Sequence, residues 1–375
     1  MGSPESLQEF AGERQNVEAR IIDAVGEVGP RNISEISRLT HVHPETVRYK
    51  FRKRFNRLGF RFHAEVDYER LGLTLRWATF RLSPVHYSNA PHLFRLLNRV
   101  GYLNYFGKVV PSGSYVARFG VPNDLRAKHE SLFSWLMSEG ILSSFSLQEA
   151  RVSRHLTMNP RFFDFKSNRW EIPWKELRNL PARPMPLASR KAALVEDFDL
   201  LILKELQKDS TRHISSIARE LDLNGRTLEY HYRTHVIARR LIHSYFVRWT
   251  QDTSKTLAHT VALTRLTFRP EGGEKLKWIQ STVSKVPFLW MEDLVEDGSY
   301  VASMYVPSSE MLPFLGYLND ELGDLGAKVE TEFVKTNEAS SFTIPYEMWR
   351  DGGWGFDLDE AKAVIRKEYG SSPKK

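Results

Sequence analysis

Six cations, Arg48, Lys50, Arg52, Lys53, Arg54 and Arg57, fall between positions 48 and 57 with no acid among them. Such a density suits phosphate: each Lys or Arg that neutralises a phosphate releases counterions, and a helix of ordinary diameter fits the major groove of duplex DNA. Thr46, Arg48, Tyr49, Lys50, Arg52, Lys53, Arg54 and Arg57, with Arg61 just beyond, form the candidate DNA-reading surface. A soluble basic helix or a protein-interaction module is the alternative reading. At a shift of 181 residues Lys50 becomes His231, Arg54 becomes His235 and Arg48 becomes Glu229, while Arg226, Thr227, Tyr230 and Arg233 keep a second candidate surface. His231 and His235, four apart, suit chelation, yet no third ligand is evident in the sequence, so a polar helix face is expected and neither metal nor cofactor is.

Two further groups bear on chemistry. Glu292, Asp293, Glu296 and Asp297 stand where the first half has Gly107, Lys108, Pro111 and Ser112. They read as a solvated charged turn, with a cation, a basic partner or charge complementarity between the halves as alternatives. For an enzyme the candidates are Arg76, His86, His92, Arg118, His259 and Arg265. No spacing among them marks a site, so no enzyme and no catalytic residue is expected.

The elements that position these residues repeat. Ile33-Ser34-Glu35-Ile36-Ser37-Arg38 returns as Ile214-Ser215-Ser216-Ile217-Ala218-Arg219, and Gly113-Ser114-Tyr115-Val116-Ala117 returns 185 residues on as Gly298-Ser299-Tyr300-Val301-Ala302. Matched blocks in one order imply duplication. Val17, Ile21, Ile22 and Val25 follow helical spacing up to Gly29-Pro30. A second helix starts after Asn32, and a third carries Val47, Phe51, Phe55 and Leu58 on its apolar face. The alternating run Phe60-Arg61-Phe62-His63-Ala64-Glu65-Val66 then reads as a β wing. Downstream the order is βαββαβ in both halves, with Gly113 and Gly298 at turns needing positive φ. Around Ser167-Asn168 and Gly352-Gly353, Phe162 and Trp170 match Tyr346 and Trp354 as hairpin-like appendages, whose Trp170, Trp174, Trp349 and Trp354 are expected to cover apolar surface.

The 375 residues carry a net charge of +7, spread unevenly. Residues 1–190 hold 29 Lys and Arg against 18 Asp and Glu; residues 191–375 hold 24 against 28. The absence of cysteine excludes disulfides, thiolate metal sites and cysteine nucleophiles. With no basic start leading into an apolar run and no stretch of about 18 apolar residues, a cytoplasmic protein without a membrane segment is expected.

The second-helix motif Ile33–Arg38, the wing from Phe60 to Asp67, and Leu71-Gly72 before the first sheet strand resemble the leucine-responsive regulator/AsnC (feast/famine) family, here as a tandem duplication in one chain. The resemblance implies an α+β fold of two repeats, each a winged helix-turn-helix plus a ferredoxin-like βαββαβ domain. It also implies a sequence-specific transcription regulator whose sheets pair and sometimes bind amino acids. The family's acidic β2–β3 turn is replaced by Ser114 and Val116, and by Ser299 and Val301, which puts an amino-acid effector in doubt. The expected layout is a tail (1–14), a first winged helix (15–69), a first βαββαβ domain (72–158), an appendage and Pro-rich linker (159–190), a second winged helix (191–250), a second βαββαβ domain (256–338) and a C-terminal appendage (339–375). Double-stranded DNA is the expected partner, with a small-molecule effector and a second copy of the chain as further candidates. Two alternatives remain: an RNA-binding protein stacking bases on Tyr115, Phe119 or Tyr300, although the run Ser112–Phe119 lacks the interleaved Gly-aromatic pattern, and a siroheme-decarboxylase-like enzyme, a class whose architecture resembles that of these regulators.

Overall fold

The computed structural model describes residues 16–183, 185, 191–248, 261–323 and 328–369. His259 and parts of the expected tail, linker and appendages lie outside the described residues. Helix α1 (Val17–Val28) starts at Asn16, whose side chain accepts from the Glu18 amide. It buries Ile21, Ile22 and Val25, and ends at Gly29 with φ 78°. Helix α2 (Ile33–Thr40) is capped by Asn32, and α3 (Pro44–Tyr49) opens on a proline, where the missing amide costs nothing. A π turn, Lys50–Phe55, continues α3. The second set repeats this order with α6 (Asp197–Lys208), α7 (Ile214–Glu220), α8 (Gly225–His231) and a π turn at Tyr232–Ile237.

The strand expected as a wing behaves differently. Strand β1 (Arg61–Val66) pairs antiparallel with β8 (Ile242–Arg248), so Arg61 faces Arg248 and Ala64 faces Tyr245. Each alternating strand finds its backbone partner in the other half of the chain, and the two helical modules are joined across one two-stranded sheet.

The remaining long strands form a single closed barrel. The first run comprises β2 (Leu73–Leu82), α4 (Ala90–Val100), β3 (Leu103–Val110), β4 (Tyr115–Pro122), α5 (Arg126–Ser138) and β5 (Leu142–His155). The second comprises β9 (Val261–Arg269), α9 (Gly273–Val283), β10 (Leu289–Val295), β11 (Tyr300–Pro307), α10 (Met311–Leu322) and β12 (Lys328–Ser341). Closure depends on the two 14-residue strands. β5 pairs with β2 through its first half (Phe145 opposite Phe80) and with β10 through its second (Val152 opposite Leu294). β12 does the same between β9 and β3, with Val334 opposite both Leu263 and Val109. Gly113 (φ 71°) and Gly298 (φ 83°) sit at the β3–β4 and β10–β11 turns in the left-handed conformation that the sequence required.

Burial is crossed between the halves. One core joins Ile21, Val25, Val47 and Phe55 of the first helical module to Leu263, Phe288, Met304 and Phe314 of the second sheet unit. The other joins Leu200, Leu203, Ile217 and Leu228 of the second module to Phe80, Phe94, Phe119 and Phe133 of the first. The appendages follow the same crossing. The hairpin β6 (Phe163–Asp164) with β7 (Arg169–Trp170) lays Trp170 edge-on to Phe288 at 4.8 Å. The hairpin β13 (Trp349–Arg350) with β14 (Gly353–Trp354) leads to Gly355, whose carbonyl accepts from the Tyr102 hydroxyl at 2.7 Å. A last helix, α11 (Leu358–Tyr369), lies against α4 and α5. The aromatic appendages therefore cover apolar surface, each on the half it does not follow. Among the described residues no helix is long and apolar enough to cross a membrane.

Candidate functional site

The barrel interior is filled. Arg118 on β4 and Arg265 on β9 both stand over the Trp77 ring, at 6.0 and 5.1 Å from its centroid. Arg118 donates to Asn104 Oδ1 at 3.1 Å, and Arg265 pairs with Glu332 at 2.6 Å. Between them Asp293 is fully buried, and burial raises its carboxyl above the ordinary value against the pull of Ser153, Arg118, Trp77 and Arg265. Asp293 and Glu292 thus belong to strand β10, not to a solvated turn. Glu292 is buried against Arg154 and accepts from the Tyr300 hydroxyl at 2.5 Å, so charge does complement across the halves. A cavity among Trp77, Tyr105, Arg265 and Ser303 measures about 10 Å³, room for one water at most.

Outside the barrel, a cleft of about 1180 Å³ opens between α1, the end of β5, the first appendage and β8. That lies above the ~300–1,000 Å³ usual for small-ligand sites. Arg154, Arg161 and Arg183 line it around Asp23, with Lys166 and Lys285 further out. Arg161 binds Asp23 at 3.2 Å. Burial holds the Arg183 guanidinium below its ordinary value, and Arg161 and Arg154 beside it push the same way against Asp23 and Glu292. A carboxylate matches the fork of a guanidinium with two parallel hydrogen bonds.

His155 lies where this cleft meets a second cavity of about 130 Å³ that also touches Glu65, Tyr68 and Arg118. Its Nδ1 donates to Glu65 Oε1 at 3.1 Å and its backbone amide to Oε2 at 2.9 Å. The ring stacks on Phe246 at 4.8 Å and meets Trp290 edge-on at 5.0 Å. Burial alone would raise the Glu65 carboxyl, but His155 and Arg118 outweigh it and hold it below the ordinary value. An ionised glutamate thus fixes one imidazole nitrogen and leaves Nε2 for chemistry, the arrangement that orients a general acid or base.

Of the sequence-selected enzyme candidates within the described residues, Arg118 and Arg265 meet at Trp77, apart from the others. Arg76 faces α5 and pairs with Glu130, while His86 and His92 stack on Tyr369. Glu65, His155, Arg154, Arg161 and Arg183 were missed. Their signals were faint: an acid between Ala64 and Val66 in an alternating strand, and Arg151, Arg154 and His155 at the end of a long one.

The DNA-reading candidates divide. Thr46, Tyr49, Arg52, Lys53, Arg57 and Arg61 are exposed, and Arg48 pairs with Glu45. Lys50 and Arg54 turn back to Glu18, and Arg54 also donates to the Phe165 carbonyl. In the second module Arg226, Thr227, Tyr230 and Arg233 are exposed, Arg233 holding Glu229 at 2.7 Å. His231 and His235 are buried against Asp199 instead of forming a polar face.

No protein-family model matches the chain, and no curated protein matches it by sequence. Among solved structures it is similar to the siroheme decarboxylase NirDL, with TM-score 0.57 and 9% identity over 94% of this chain and all of that one. It is similar also to that enzyme in co-complex with an iron-uroporphyrin III analogue, with TM-score 0.55 and 9% identity over 93% of this chain and all of that one. The expectation that this chain is no enzyme is corrected by these matches, since its fold over 94% of its length is one that an enzyme also has.

Proposed function

We infer that this chain binds an iron tetrapyrrole rich in carboxylates in the cleft over α1 and β5, and removes carbon dioxide from one of its side chains. On this reading it is a tandem duplication of the winged-helix and ferredoxin-like unit of the leucine-responsive regulator kind, turned to tetrapyrrole chemistry. The observation that carries the reading is the continuity of a large arginine-lined cleft with the His155–Glu65 pair. Arg161 and Arg183 hold substrate carboxylates that are not to react. The reacting carboxylate loses CO₂ as its carbon–carbon bond breaks, and the electron pair left on carbon takes the proton that His155 Nε2 delivers. Glu65 stabilises the imidazolium before that transfer.

Titration of the full chain with iron-uroporphyrin III, followed by visible absorption, is expected to saturate at one equivalent. Arg161→Ala combined with Arg183→Ala is expected to weaken binding by about 100- to 10,000-fold, since hydrogen bonds to charged groups contribute about 1.5–3 kcal/mol each. Absence of saturable binding, or equal affinity in the double variant, would sink the assignment.

A second reading, duplex DNA binding, is favoured by the exposure of Arg52, Lys53, Arg57 and Tyr49 along one helix. It predicts duplex affinity that falls steeply with salt, and a shallower salt slope for Arg52→Ala/Lys53→Ala/Arg57→Ala, by about 0.9 per phosphate contact removed. Retention of the full slope in the triple variant would rule out that surface.

A further inference from the structure

In both helical modules the first helix presents an acid to two basic side chains four residues apart on the third. The π turn keeps such a pair on one face. In the first module Glu18 takes Lys50 at 2.7 Å and Arg54 at 3.5 Å, two permanent cations around one buried carboxylate. The places 181 residues on hold Asp199, His231 and His235. Asp199 is fully buried, and its Oδ1 lies 2.9 Å from His231 Nδ1 and 3.0 Å from His235 Nδ1. A second carboxylate, Glu196, approaches His235 Nδ1 at 3.4 Å. The donor atoms of Glu196, His231 and His235 all lie within 4.8 Å of one another. Asp199 is further held by the Glu196 amide at 3.0 Å, and Arg239 stands 3.7 Å away.

The charge differs as much as the chemistry. Where the first module supplies two fixed positive charges for one acid, the second sets two acids against one arginine and two imidazoles that are neutral unless protonated. Ligand atoms at about 2.0–2.1 Å from a tetrahedral zinc stand roughly 3.3 Å apart; Asp199 to each imidazole and Glu196 to His235, at 2.9, 3.0 and 3.4 Å, lie around that value. Imidazole with carboxylate suits zinc and its neighbours in the first transition row, whereas magnesium and calcium prefer oxygen alone.

We propose that Glu196, Asp199, His231 and His235 bind one divalent transition-metal ion of the zinc class, which clamps the third helix of the second module to α6. The ion supplies the charge that Lys50 and Arg54 supply in the first module, and each imidazole gives up the proton it otherwise donates to Asp199. None of these four residues lines the tetrapyrrole cleft, so the site stands or falls independently of that assignment.

The test uses the full chain stripped of metal by a chelator. Titration with Co²⁺ is expected to give one equivalent with visible d–d absorption of tetrahedral intensity, displaced by Zn²⁺, and Zn²⁺ is expected to raise the thermal midpoint. Asp199→Glu/His231→Lys/His235→Arg installs the side chains that the first module already uses. It is expected to fold, and to bind one equivalent fewer with no thermal response. His235→Gln alone, a smaller change, is expected to weaken Co²⁺ binding more than about 100-fold, beyond what loss of an outer-shell partner costs. The proposal is overturned if wild type shows no Co²⁺ equivalent that these variants lack; Asp199 then only accepts two imidazole protons.

Discussion

Replacing His155 by Ala is expected to lower decarboxylation turnover by about 100- to 10,000-fold, the range that a positioned general acid contributes, while iron-tetrapyrrole affinity changes far less. The separation follows from placement. His155 lines the cleft tied to Glu65, whereas the carboxylate-holding role belongs, on the proposed reading, to Arg161 and Arg183. Glu65→Gln keeps a hydrogen-bonding side chain at Nδ1 but removes the charge that favours imidazolium, so it is expected to fall between wild type and His155→Ala. Single-turnover measurement by product mass, beside equilibrium binding, distinguishes the two effects. Turnover within a few-fold of wild type in His155→Ala would remove the residue from the chemistry.

The largest stability effect is expected at His129. It is fully buried on α5 with Nε2 donating to the Gly101 carbonyl at 3.0 Å. Burial, aided by the nearby charge of Arg76 and opposed by that hydrogen bond, pushes its imidazole down to about 3 from an ordinary 6.5. The folded chain therefore keeps His129 neutral at a pH where the unfolded chain protonates it. Its stability contribution is complete above 6.5 and is lost as pH falls from there toward about 3. At about 1.4 kcal/mol per unit, the cost reaches roughly 3 kcal/mol near about pH 4. His129→Gln retains a donor for Gly101 and does not titrate. Denaturant melts at neutral pH and near about pH 4 are expected to show wild type losing about 3 kcal/mol more than this variant. Equal losses would mean that other groups govern acid unfolding.

Local order was legible and long-range partnership was not. Apolar spacing fixes a helix from its own residues, as at Ile21, Ile22 and Val25, and the glycines at 113 and 298 announce positive φ. Alternation in residues 60–66 announces a strand but says nothing about its partner, so β1 looked like a wing until it met β8. The same limit hid the site. Glu65 and His155 are 90 residues apart, and only the packing of the β1–β8 ribbon on the end of β5 brings one to the other. Asp293 resembled a surface acid because its sequence neighbours are acidic, whereas strand alternation turns it inward between two arginines. His231 and His235 showed no sign of their acidic partners in sequence because Glu196 and Asp199 arrive from the start of another helix.

Crossed burial also sets a timetable for synthesis. Strand β5 is complete at His155, yet β10, which covers its second half, begins only at Leu289. At about 5–20 residues per second, the emerging first half waits on the order of ten seconds with that edge open and with the apolar faces of its helices bare. Arg151 and Arg154 lie on the waiting edge, and charge there discourages a neighbouring nascent chain from pairing with it. Chaperone demand should therefore peak midway through translation, and a chain severed at the linker would leave each fragment holding half of two unfinished cores.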